Sequence, residues 1–416
     1  MRRDSKSLKR RDDAATLGDA TVAHAAALRW LIVAAQAVTI VITWPLWQVR
    51  QWPPNLPAVD VPQIGVGWVL LASLAVVLVW PMAGVVLHGA LLAAAMLMDQ
   101  MRIQPEFISL AILLWGTLPL AGAAMIARAH LVAMWLYAGL HKLLSVDYLQ
   151  SAGADLLQAV MPQLPDGAAQ AAAVLLAILE ISLAVGMLVP RTRRAAAWMA
   201  CALHLGVVLS LSPLGRNWNQ AVWAWNVVLA AAGFAWFAGW KDSPWAGIRQ
   251  CRPVVRGVVL LLIVSPAGYY VGMVDAYLAH CLYSSNTPRG VMVHGEQRTP
   301  LPERMVEELN VPFPPAHRLY EAYFRSVAEG NDRLDLDDPR WWAKVRGIDR
   351  RTLTLGGEYR GGKKHGLWTF RDQNGNKTHE GQYVDGREHG RWTLWEDGKT
   401  YHVEYRDGRP VGGDPP

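Results

Sequence analysis

Four ionisable residues that could carry proton chemistry lie inside strongly apolar stretches. His141 and Lys142 stand side by side in YAGLHKLL, Glu180 lies in LLAILEISLAVG, and His204 lies in ACALHLGVVL. An ionisable side chain within a bilayer is costly, so each is a functional candidate. Lys142 could act as a base if burial disfavours its charged form. Glu180 and His204 lie in consecutive apolar stretches and could form a buried pair that holds protons. The predicted catalytic set is therefore Lys142, His141, Glu180 and His204.

Each of these residues also has a structural interpretation. Lys142 is three residues from a predicted helix end, so its long side chain could reach the membrane interface. His204 could simply bond a neighbouring backbone group. Gly139 is on nearly the same helix face as Lys142 and could let another helix approach closely enough to bury it. The sequence leaves open whether Lys142 faces Glu180 and His204 or the interface.

Four further polar residues are predicted within or beside the membrane. Asp99 and Arg102 are i, i+3 neighbours in MDQMRIQPEF and could cap a helix and pair locally. Asn219 and Asn226, in GRNWNQAVWAWN, are typical of polar residues that hold membrane helices together through hydrogen bonds.

The elements that must position these residues are apolar helices. Hydrophobic residues make up 52% of the 416-residue chain and charged residues only 18%, against about 25% charged in ordinary globular domains. A span needs about 20 apolar residues. We predict an all-α polytopic membrane bundle, with residues 66–98 left open as one span or two. The nine predicted spans are residues 28–48, 66–80, 84–98, 106–126, 128–145, 170–190, 195–213, 219–240 and 256–277.

The loop charges predict the orientation. The first 25 residues form a basic tail, and the loop segments ARAH, RTRR and 241–256 are cationic, whereas 146–169 has no Lys or Arg. The positive-inside rule then places the tail in the cytoplasm and the C-terminal region in the periplasm of a bacterial inner membrane. The net charge of +6 does not indicate nucleic-acid binding, because much of the excess lies in the tail and the loops. The three scattered cysteines predict neither a disulfide nor a metal site.

The last third of the chain reads as a small soluble α+β region. The predicted division is a tail at 1–25, a transmembrane domain at 26–280, a helical linker at 281–352 and β-hairpin repeats at 353–416. In the linker, PPAHRLYEAYFRSVAEG predicts an amphipathic helix that Gly330 ends.

Three copies of a strand, glycine turn and strand pattern align within residues 356–412, with tyrosines 24 and 22 residues apart. The repeats resemble MORN-type repeats, which implies a module that contacts a protein, a lipid or another envelope partner. The predicted framework is Tyr359, Gly362, Gly366, Trp368, Tyr383, Gly386, Gly390, Trp392, Tyr405 and Gly408.

Residues 25–290 resemble a second group of proteins. MDQMRIQPEF, YAGLHKLL, the central Glu180, the following His204 and SPLGRNWNQAVWAWN together are similar to the DoxX-like and horizontally transferred transmembrane (HTTM) bacterial membrane proteins. That group includes the membrane part of vitamin K-dependent carboxylase, where a lysine in a motif like YAGLHKLL is implicated as the base that deprotonates a reduced quinone. The resemblance implies this role for Lys142, with a quinone as cofactor.

Three functions follow from these observations. The first is a non-enzymatic bundle in the lipid bilayer that anchors a periplasmic MORN-type interaction module. The second is a quinone-linked membrane enzyme that uses Lys142 as base. The third is a small-solute transporter, which would usually show internal symmetry that we do not find in residues 25–280. The chain contains no P-loop, dinucleotide fingerprint or zinc-protease motif. We favour the first function and expect no metal.

Overall fold

The computed structural model describes residues 24–329, 332–371, 376–396 and 398–414. Nearly all of the predicted cytoplasmic tail, residues 1–23, and Gly330 lie outside these residues. The described chain divides into two compact units. The helical unit comprises residues up to 285 together with 305–314, and the β unit comprises residues 286–304 and the chain from 315 onward.

The helical unit contains eleven helices among its described residues, nine of them apolar and at the predicted positions. Seven are long and apolar enough to cross a membrane. The other two, α2 and α4, have 13 and 12 residues. The helices are α1 (His24–Ile42), α2 (Gly67–Val79), α3 (Pro81–Met98), α4 (Pro105–Gly116), α5 (Ala123–Leu143), α6 (Gly153–Gln158), α7 (Asp166–Leu188), α8 (Arg193–Leu211), α9 (Ala221–Gly233), α10 (Pro244–Gln250) and α11 (Pro253–Val264).

Two details of the predicted spans are now decided. Residues 66–98 form two helices, since the chain breaks at Trp80 and restarts with Pro81 at the first helical position. The fourth predicted span, 106–126, is wrong at its end, because α4 stops at Gly116. Pro119 and Gly122, whose φ of 89° no helix can contain, separate α4 from α5.

Helix α5 lies at the centre of the helical unit. It packs against α4, α7 and α11, and α8 packs against both α7 and α9. In the most apolar stretch of α5, 72% of the residues are buried, whereas in the corresponding stretches of α7 and α8 the share is 28%. The predicted site residues on α5 are therefore enclosed by protein, and α7 and α8 keep faces that are free to contact lipid.

The β unit is built on one antiparallel sheet of ten strands, in the order β10-β9-β8-β7-β6-β5-β4-β3-β1-β2. Three helices, α12 (Leu301–Leu309), α13 (His317–Val327) and α14 (Trp341–Val345), lie between the strands in sequence. The strands are β1 (Arg289–His294), β2 (Gln297–Pro300), β3 (Arg333–Asp337), β4 (Arg350–Thr354), β5 (Glu358–Arg360), β6 (Lys363–Arg371), β7 (Lys377–Val384), β8 (Arg387–Glu396), β9 (Lys399–Arg406) and β10 (Arg409–Asp414).

The predicted amphipathic helix is α13, and its apolar face is buried as expected at Leu319, Tyr320, Tyr323 and Phe324. The strands on either side of it were not predicted. They extend the sheet of the repeats into the segment that was expected to be a helical linker.

The three repeats are β-hairpins with two-residue turns, at β5–β6, β7–β8 and β9–β10. Both central residues of each turn have positive φ, which is the geometry that glycine, asparagine and aspartate favour in tight hairpins. The turn residues are Gly361 and Gly362, Asp385 and Gly386, and Asp407 and Gly408.

Candidate functional site

Lys142 and Glu180 form a buried ion pair between α5 and α7. The Lys142 Nζ lies 2.9 Å from Oε1 and 2.7 Å from Oε2 of Glu180, so it donates to both carboxylate oxygens. The Lys142 side chain is 3% exposed and that of Glu180 is 12% exposed. Lys142 therefore does not extend to the membrane interface, and its amino group is bound to the carboxyl group of Glu180.

Gly139 makes this pairing possible. A Cβ at Gly139 would lie 2.5 Å from the backbone oxygen of Ala177 and 3.1 Å from the Cβ of Glu180. Any larger residue would force the two helices apart, because a real Cβ does not approach a backbone atom so closely. The predicted close approach at Gly139 is confirmed, and the approaching helix is the one that carries Glu180.

The pair lies on the wall of a cavity of about 100 Å³. Beside the pair, Arg216 and Tyr283 supply the other charged and aromatic groups of the wall. The remaining lining comes from α6, α7, α8 and the residues that follow them, and it is almost wholly aliphatic. It consists of Leu156, Leu157, Val160, Leu176, Leu203, Val207, Ser210 and Leu211. The cavity is thus mostly apolar, and its polar groups, Lys142, Glu180, Arg216 and Tyr283, form what we call its polar end.

Two irregular segments, residues 212–220 and 272–285, contribute Arg216 and Tyr283 to this polar end. Both segments contain residues with an unfavourable positive φ. Residues with positive φ that are not glycine occur at eight described positions. Five of them fall in these two segments, including Tyr283 at 50°, where a bulky side chain is a clear outlier. Strain of this kind persists only where the surroundings impose it, and it concentrates at functional sites. The five positions are Asn217, Asn219, His280, Tyr283 and Ser285.

His141 does not join Lys142, although it is the next residue. Its Nε2 donates to the backbone oxygen of Ala279 at 2.9 Å, because a carbonyl oxygen only accepts. Its Nδ1 lies 2.9 Å from the hydroxyl of Tyr270, which must then be the donor when the ring is neutral. His141 therefore connects α5 to the segment after α11, on a different side of the helix from Glu180.

His204 does not pair with Glu180. The indole Nε1 of Trp135 donates to its Nε2 at 2.9 Å, which leaves the ring proton on Nδ1. That Nδ1 lies 2.8 Å from Oδ1 of Asn226, whose amide nitrogen in turn donates to the backbone oxygen of Val222. Both ring nitrogens are thus engaged in a neutral chain across α5, α8 and α9. The predicted Glu180–His204 pair is corrected, since Lys142 takes the place of His204.

Asp99 and Arg102 belong to a dense network at the end of α3. Asp99 accepts hydrogen bonds from Arg50 at 2.6 Å, from the amide of Asn55 and from the backbone nitrogens of Leu56 and Met101. The Nε atom of Arg102 lies 3.8 Å from Oδ2 of Asp99. The guanidinium group of Arg102 also donates hydrogen bonds to the backbone oxygens of residues 46, 48 and 95. Burial lowers the pKa of Arg102 to about 10, so it stays charged at neutral pH.

Sequence reasoning missed Glu106, at the start of α4. Its side chain is 1% exposed, and neither carboxylate oxygen has a hydrogen-bond partner on another described residue. It lines a second cavity, of about 110 Å³, together with Asn219 and Tyr283. The quoted motif MDQMRIQPEF contains Glu106. An acidic residue in the first turn of a helix is usually read as favourable to the helix dipole, which is why the motif did not point to a site.

In the β unit, the aromatic framework of the repeats forms one cluster. Trp368, Tyr383 and Trp392 are buried together, with Tyr359 and Tyr405 packed against them. Each tryptophan ring meets a tyrosine edge-on, at 4.9 Å between Tyr359 and Trp368 and 5.1 Å between Tyr383 and Trp392. The predicted framework residues therefore stabilise the sheet.

The glycines of the framework shape the backbone. Gly362, Gly386 and Gly408 occupy the hairpin turns with φ between 74° and 83°. Gly366 and Gly390 also have positive φ, and they pair with Tyr383 and Tyr405 of the neighbouring strands.

Comparison with known proteins gives one match. The model of the family described as methylamine utilisation protein MauE matches residues 120–221, about a quarter of the chain. The matched stretch begins just before α5 and ends at the start of α9, so it includes Lys142, Glu180, His204 and Arg216. No curated protein and no solved structure matches the chain. With seven helices of spanning length among the described residues, this similarity to a family of membrane proteins decides the class. The chain is an integral membrane protein.

Proposed function

We propose that the helical unit binds a small amphipathic ligand of the quinone class in the Lys142–Glu180 cavity and exchanges protons with it. The observation that carries the proposal is the buried ion pair at the polar end of an otherwise aliphatic cavity. A quinone combines a ring that bears carbonyl oxygens with an apolar substituent, and the cavity offers hydrogen-bond donors at one end and greasy walls elsewhere.

The energetics favour a functional role for the pair. A buried ion pair is generally no more stabilising than apolar residues of the same size, because two charges must be desolvated. Glu180 bonds Lys142 and no other described residue, and part of it remains exposed at the cavity. Ion pairs inside membranes therefore call for a reason other than stability.

The pair also changes the chemistry expected of Lys142. An ammonium bonded to both oxygens of Glu180 has no free lone pair, so Lys142 can act as base only after its proton has passed to Glu180. In the proposed site, Glu180 is the group that takes or gives a proton, and Lys142 holds it in place. Arg216 is a second cation on the same wall and would bind an oxygen of the ligand. A bound quinone would supply the redox chemistry, which no side chain of the cavity can supply.

One family match and one sequence resemblance support this proposal from outside the site. The matched family covers the elements that build most of the cavity, although its description speaks of methylamine utilisation and not of quinones. The resemblance of YAGLHKLL to the DoxX-like and HTTM proteins concerns Lys142 itself.

The test is ligand binding by the purified full-length protein in lipid nanodiscs. Titration with decylubiquinone or menadione, followed by calorimetry, is expected to give saturable binding that Lys142→Met and Glu180→Gln each weaken by at least about tenfold. Lys344→Met and Glu307→Gln remove the same charges at exposed positions and serve as controls. Saturable binding that all variants share would contradict the proposal, as would the absence of saturable binding in the wild type.

A second candidate function is the anchoring of an interaction module. The aromatic cluster of the repeats supports it, because a rigid sheet with exposed strand faces is suited to contacting a partner. The proposal is that the β unit is a MORN-type module and that it contacts an envelope protein or lipid.

Site-specific photo-crosslinkers at exposed Leu367 and Val384, in the full-length protein in its native membrane, test this role. A discrete protein adduct or a lipid adduct would support the module. Adducts only with the chain itself would argue against it.

The proposed orientation places the β unit in the periplasm of a bacterial inner membrane. An odd number of spans, seven or nine, puts the two chain ends on opposite sides of the membrane. The two ends would lie on the same side only if exactly one of the short helices α2 and α4 crossed the membrane. A cysteine introduced at exposed Val345 is expected to react with a membrane-impermeant maleimide in intact spheroplasts. Labelling only after the membrane is broken would reverse the orientation.

A further inference from the structure

A second cavity in the helical unit is lined by oxygen atoms that have no hydrogen-bond partner on another described residue. It lies where the start of α4, the start of α9 and the segment after α11 meet, and its volume is about 110 Å³. Gln104, Glu106 and Asn219 line it, and their exposures are 0%, 1% and 4%. In the part of the chain that the structure describes, four side-chain oxygens of these residues accept no hydrogen bond from another residue: both of Glu106, Oε1 of Gln104 and Oδ1 of Asn219.

The amide nitrogens of Gln104 and Asn219 are both engaged in hydrogen bonds, and the carbonyl partners of Gln104 fix the orientation of its amide. The Gln104 amide nitrogen donates to the backbone oxygens of Met101 and Pro312, at 3.0 and 2.9 Å. The Asn219 amide nitrogen donates to the hydroxyl of Tyr283 at 3.4 Å. Since the nitrogens are occupied, the oxygens are left for the cavity. A buried polar atom without a partner costs about 1–3 kcal/mol, and an unpaired carboxylate costs more.

The carboxyl group of Glu106 has no basic partner among the described residues. No described basic side chain forms a salt bridge with it. Tyr283 cannot provide the opposite charge, because its hydroxyl is neutral or, if ionised, negative. Burial first, and the Glu106 carboxyl second, raise the pKa of Tyr283, so its hydroxyl stays protonated. The cavity therefore combines an unpaired carboxyl group with amide acceptor atoms and offers few donors, so a cation bound there would favour the ionised form of Glu106.

The other walls of the cavity are aromatic and aliphatic. Trp218, Trp225, Tyr277 and Tyr283 line it, and the remaining wall residues include Val222. Aromatic rings attract cations, whereas they cannot replace the water or oxygen ligands that a hard metal ion keeps. No group of three or more His, Cys, Asp or Glu suited to a metal ion occurs in the described residues.

We propose that this cavity binds a small alkylammonium ion, with Glu106 as its counter-charge. A primary ammonium group has three N–H donors, which match the carboxylate and the two amide oxygens. The alkyl group would lie against the aromatic walls. The backbone at Tyr283, on the wall, has φ of 50°, which is unfavourable for a bulky residue, and backbone strain of this kind clusters at ligand sites.

The experiment is a calorimetric titration of the full-length protein in nanodiscs with ethylammonium chloride, at constant ionic strength. Ethanol is the neutral isostere, and sodium chloride and magnesium chloride are the competing cations. Saturable binding of ethylammonium, with at least about tenfold weaker binding of ethanol and of both metal ions, is expected. Equal binding of ethanol or of sodium, or no saturable binding of ethylammonium to the wild type, overturns the proposal.

Two variants locate the site. Glu106→Gln keeps the shape and removes the charge, and it is expected to weaken ethylammonium binding by at least about tenfold. Asn219→Gly removes one acceptor oxygen but tolerates the positive φ, and it is expected to weaken binding severalfold. Glu308→Gln, at an exposed position, is the matched control. Unchanged affinity in both cavity variants would place the ammonium elsewhere and overturn the proposal, whereas quinone-class binding at Lys142 would be unaffected by that result.

Discussion

The helical unit buries two sets of opposite charges, and they are built in different ways. Asp99 is surrounded by Arg50, Asn55, Arg102 and two backbone nitrogens, so the charges at the end of α3 are satisfied in many directions. Glu180 bonds only Lys142 among the described residues, and a cavity lies beside it. The network around Asp99 is fully bonded and has a structural role, whereas the Lys142–Glu180 pair is open, because it borders a cavity.

The difference teaches how to separate structural from functional charges inside an apolar protein. A network whose donors and acceptors all find partners holds segments together, and it has nothing left to offer a ligand. A pair that keeps unused acceptor capacity beside a cavity contributes little to stability, and its presence is better explained by binding. Double substitutions that remove both opposite charges should therefore restore stability in the second set but not in the first.

Asp99→Ala is expected to have the largest effect on stability. It leaves Arg50 and two backbone nitrogens without their acceptor, and breaking such a buried set costs about 3–5 kcal/mol. The measurement is thermal unfolding of the purified protein in detergent, with exposed Asp155→Ala as the control. Adding Arg102→Met to Asp99→Ala should not restore stability, because the backbone groups remain unpaired. Recovery in that double variant would show that the charges of Asp99 and Arg102 can be removed together as freely as those of Lys142 and Glu180.

At the Lys142–Glu180 pair, a single substitution should lower the stability of the protein, and a second substitution should restore it. Lys142→Met strands the carboxylate of Glu180 and is expected to cost about 3 kcal/mol. The double variant Lys142→Met with Glu180→Gln should have a free energy of unfolding within about 1 kcal/mol of the wild type, because no unpaired charge is left between α5 and α7. The same unfolding assay, combined with the quinone titration, should show stability restored and binding lost. A double variant as unstable as the single one would make this pair a structural feature too.

Gly139→Ala should loosen the open pair without touching its charges. The added Cβ would overlap α7, and overpacking of this kind costs about 1–3 kcal/mol. Gly206→Ala, in α8, has open space around the new Cβ and is the matched control. We expect lower thermal stability and weaker ligand binding for the first variant only. Equal behaviour of the two variants would show that the approach of α7 is not tight.

A buried acid in the β unit, Asp338, gives the smallest expected effect on stability. Burial opposes the ionisation of Asp338, but hydrogen bonds from Arg340 and His317 outweigh it and lower the pKa from 3.8 to about 2. Because the folded pKa is the lower one, the stabilisation is present above pH 3.8 and disappears as the pH falls toward 2. The shift corresponds to about 2 kcal/mol.

Tryptophan fluorescence of the full-length protein between pH 5 and pH 2 measures this loss. Asp338→Asn should be less stable at pH 5 and should lack this pH-dependent step. An identical profile in both proteins would mean that other acids control the acid unfolding of the β unit.

Sequence reasoning predicted the apolar helices and the hairpins well, for a local reason. Helix positions follow from runs of apolar residues and the prolines that interrupt them, as at Pro81. The hairpin turns follow from residues that tolerate positive φ, as at Asp385 and Gly386. The end of α4 was placed too late, because the apolar run continues through Pro119 and hides the break.

The partners of buried polar residues could not be predicted in the same way. Lys142 and Glu180 are 38 residues apart, and their contact depends on how closely α5 and α7 approach at Gly139. By sequence position, His204 was as suitable a partner for Glu180 as Lys142 was. The rotation of each helix about its own axis decided between them, and an apolar sequence with a weak amphipathic pattern does not encode that rotation in any visible period.

The sequence by itself thus determined that the chain spans a membrane, where its helices start, and how its repeats turn, since each of these depends on neighbouring residues. Only the tertiary structure decided that Lys142 meets Glu180, that His204 is neutral with both ring nitrogens bonded, and that Glu106 lies beside Asn219 with no partner among the described residues. Those facts depend on side chains from distant segments that share one low-dielectric space. There the interaction energy of charges varies with ångström distances and not with position along the chain.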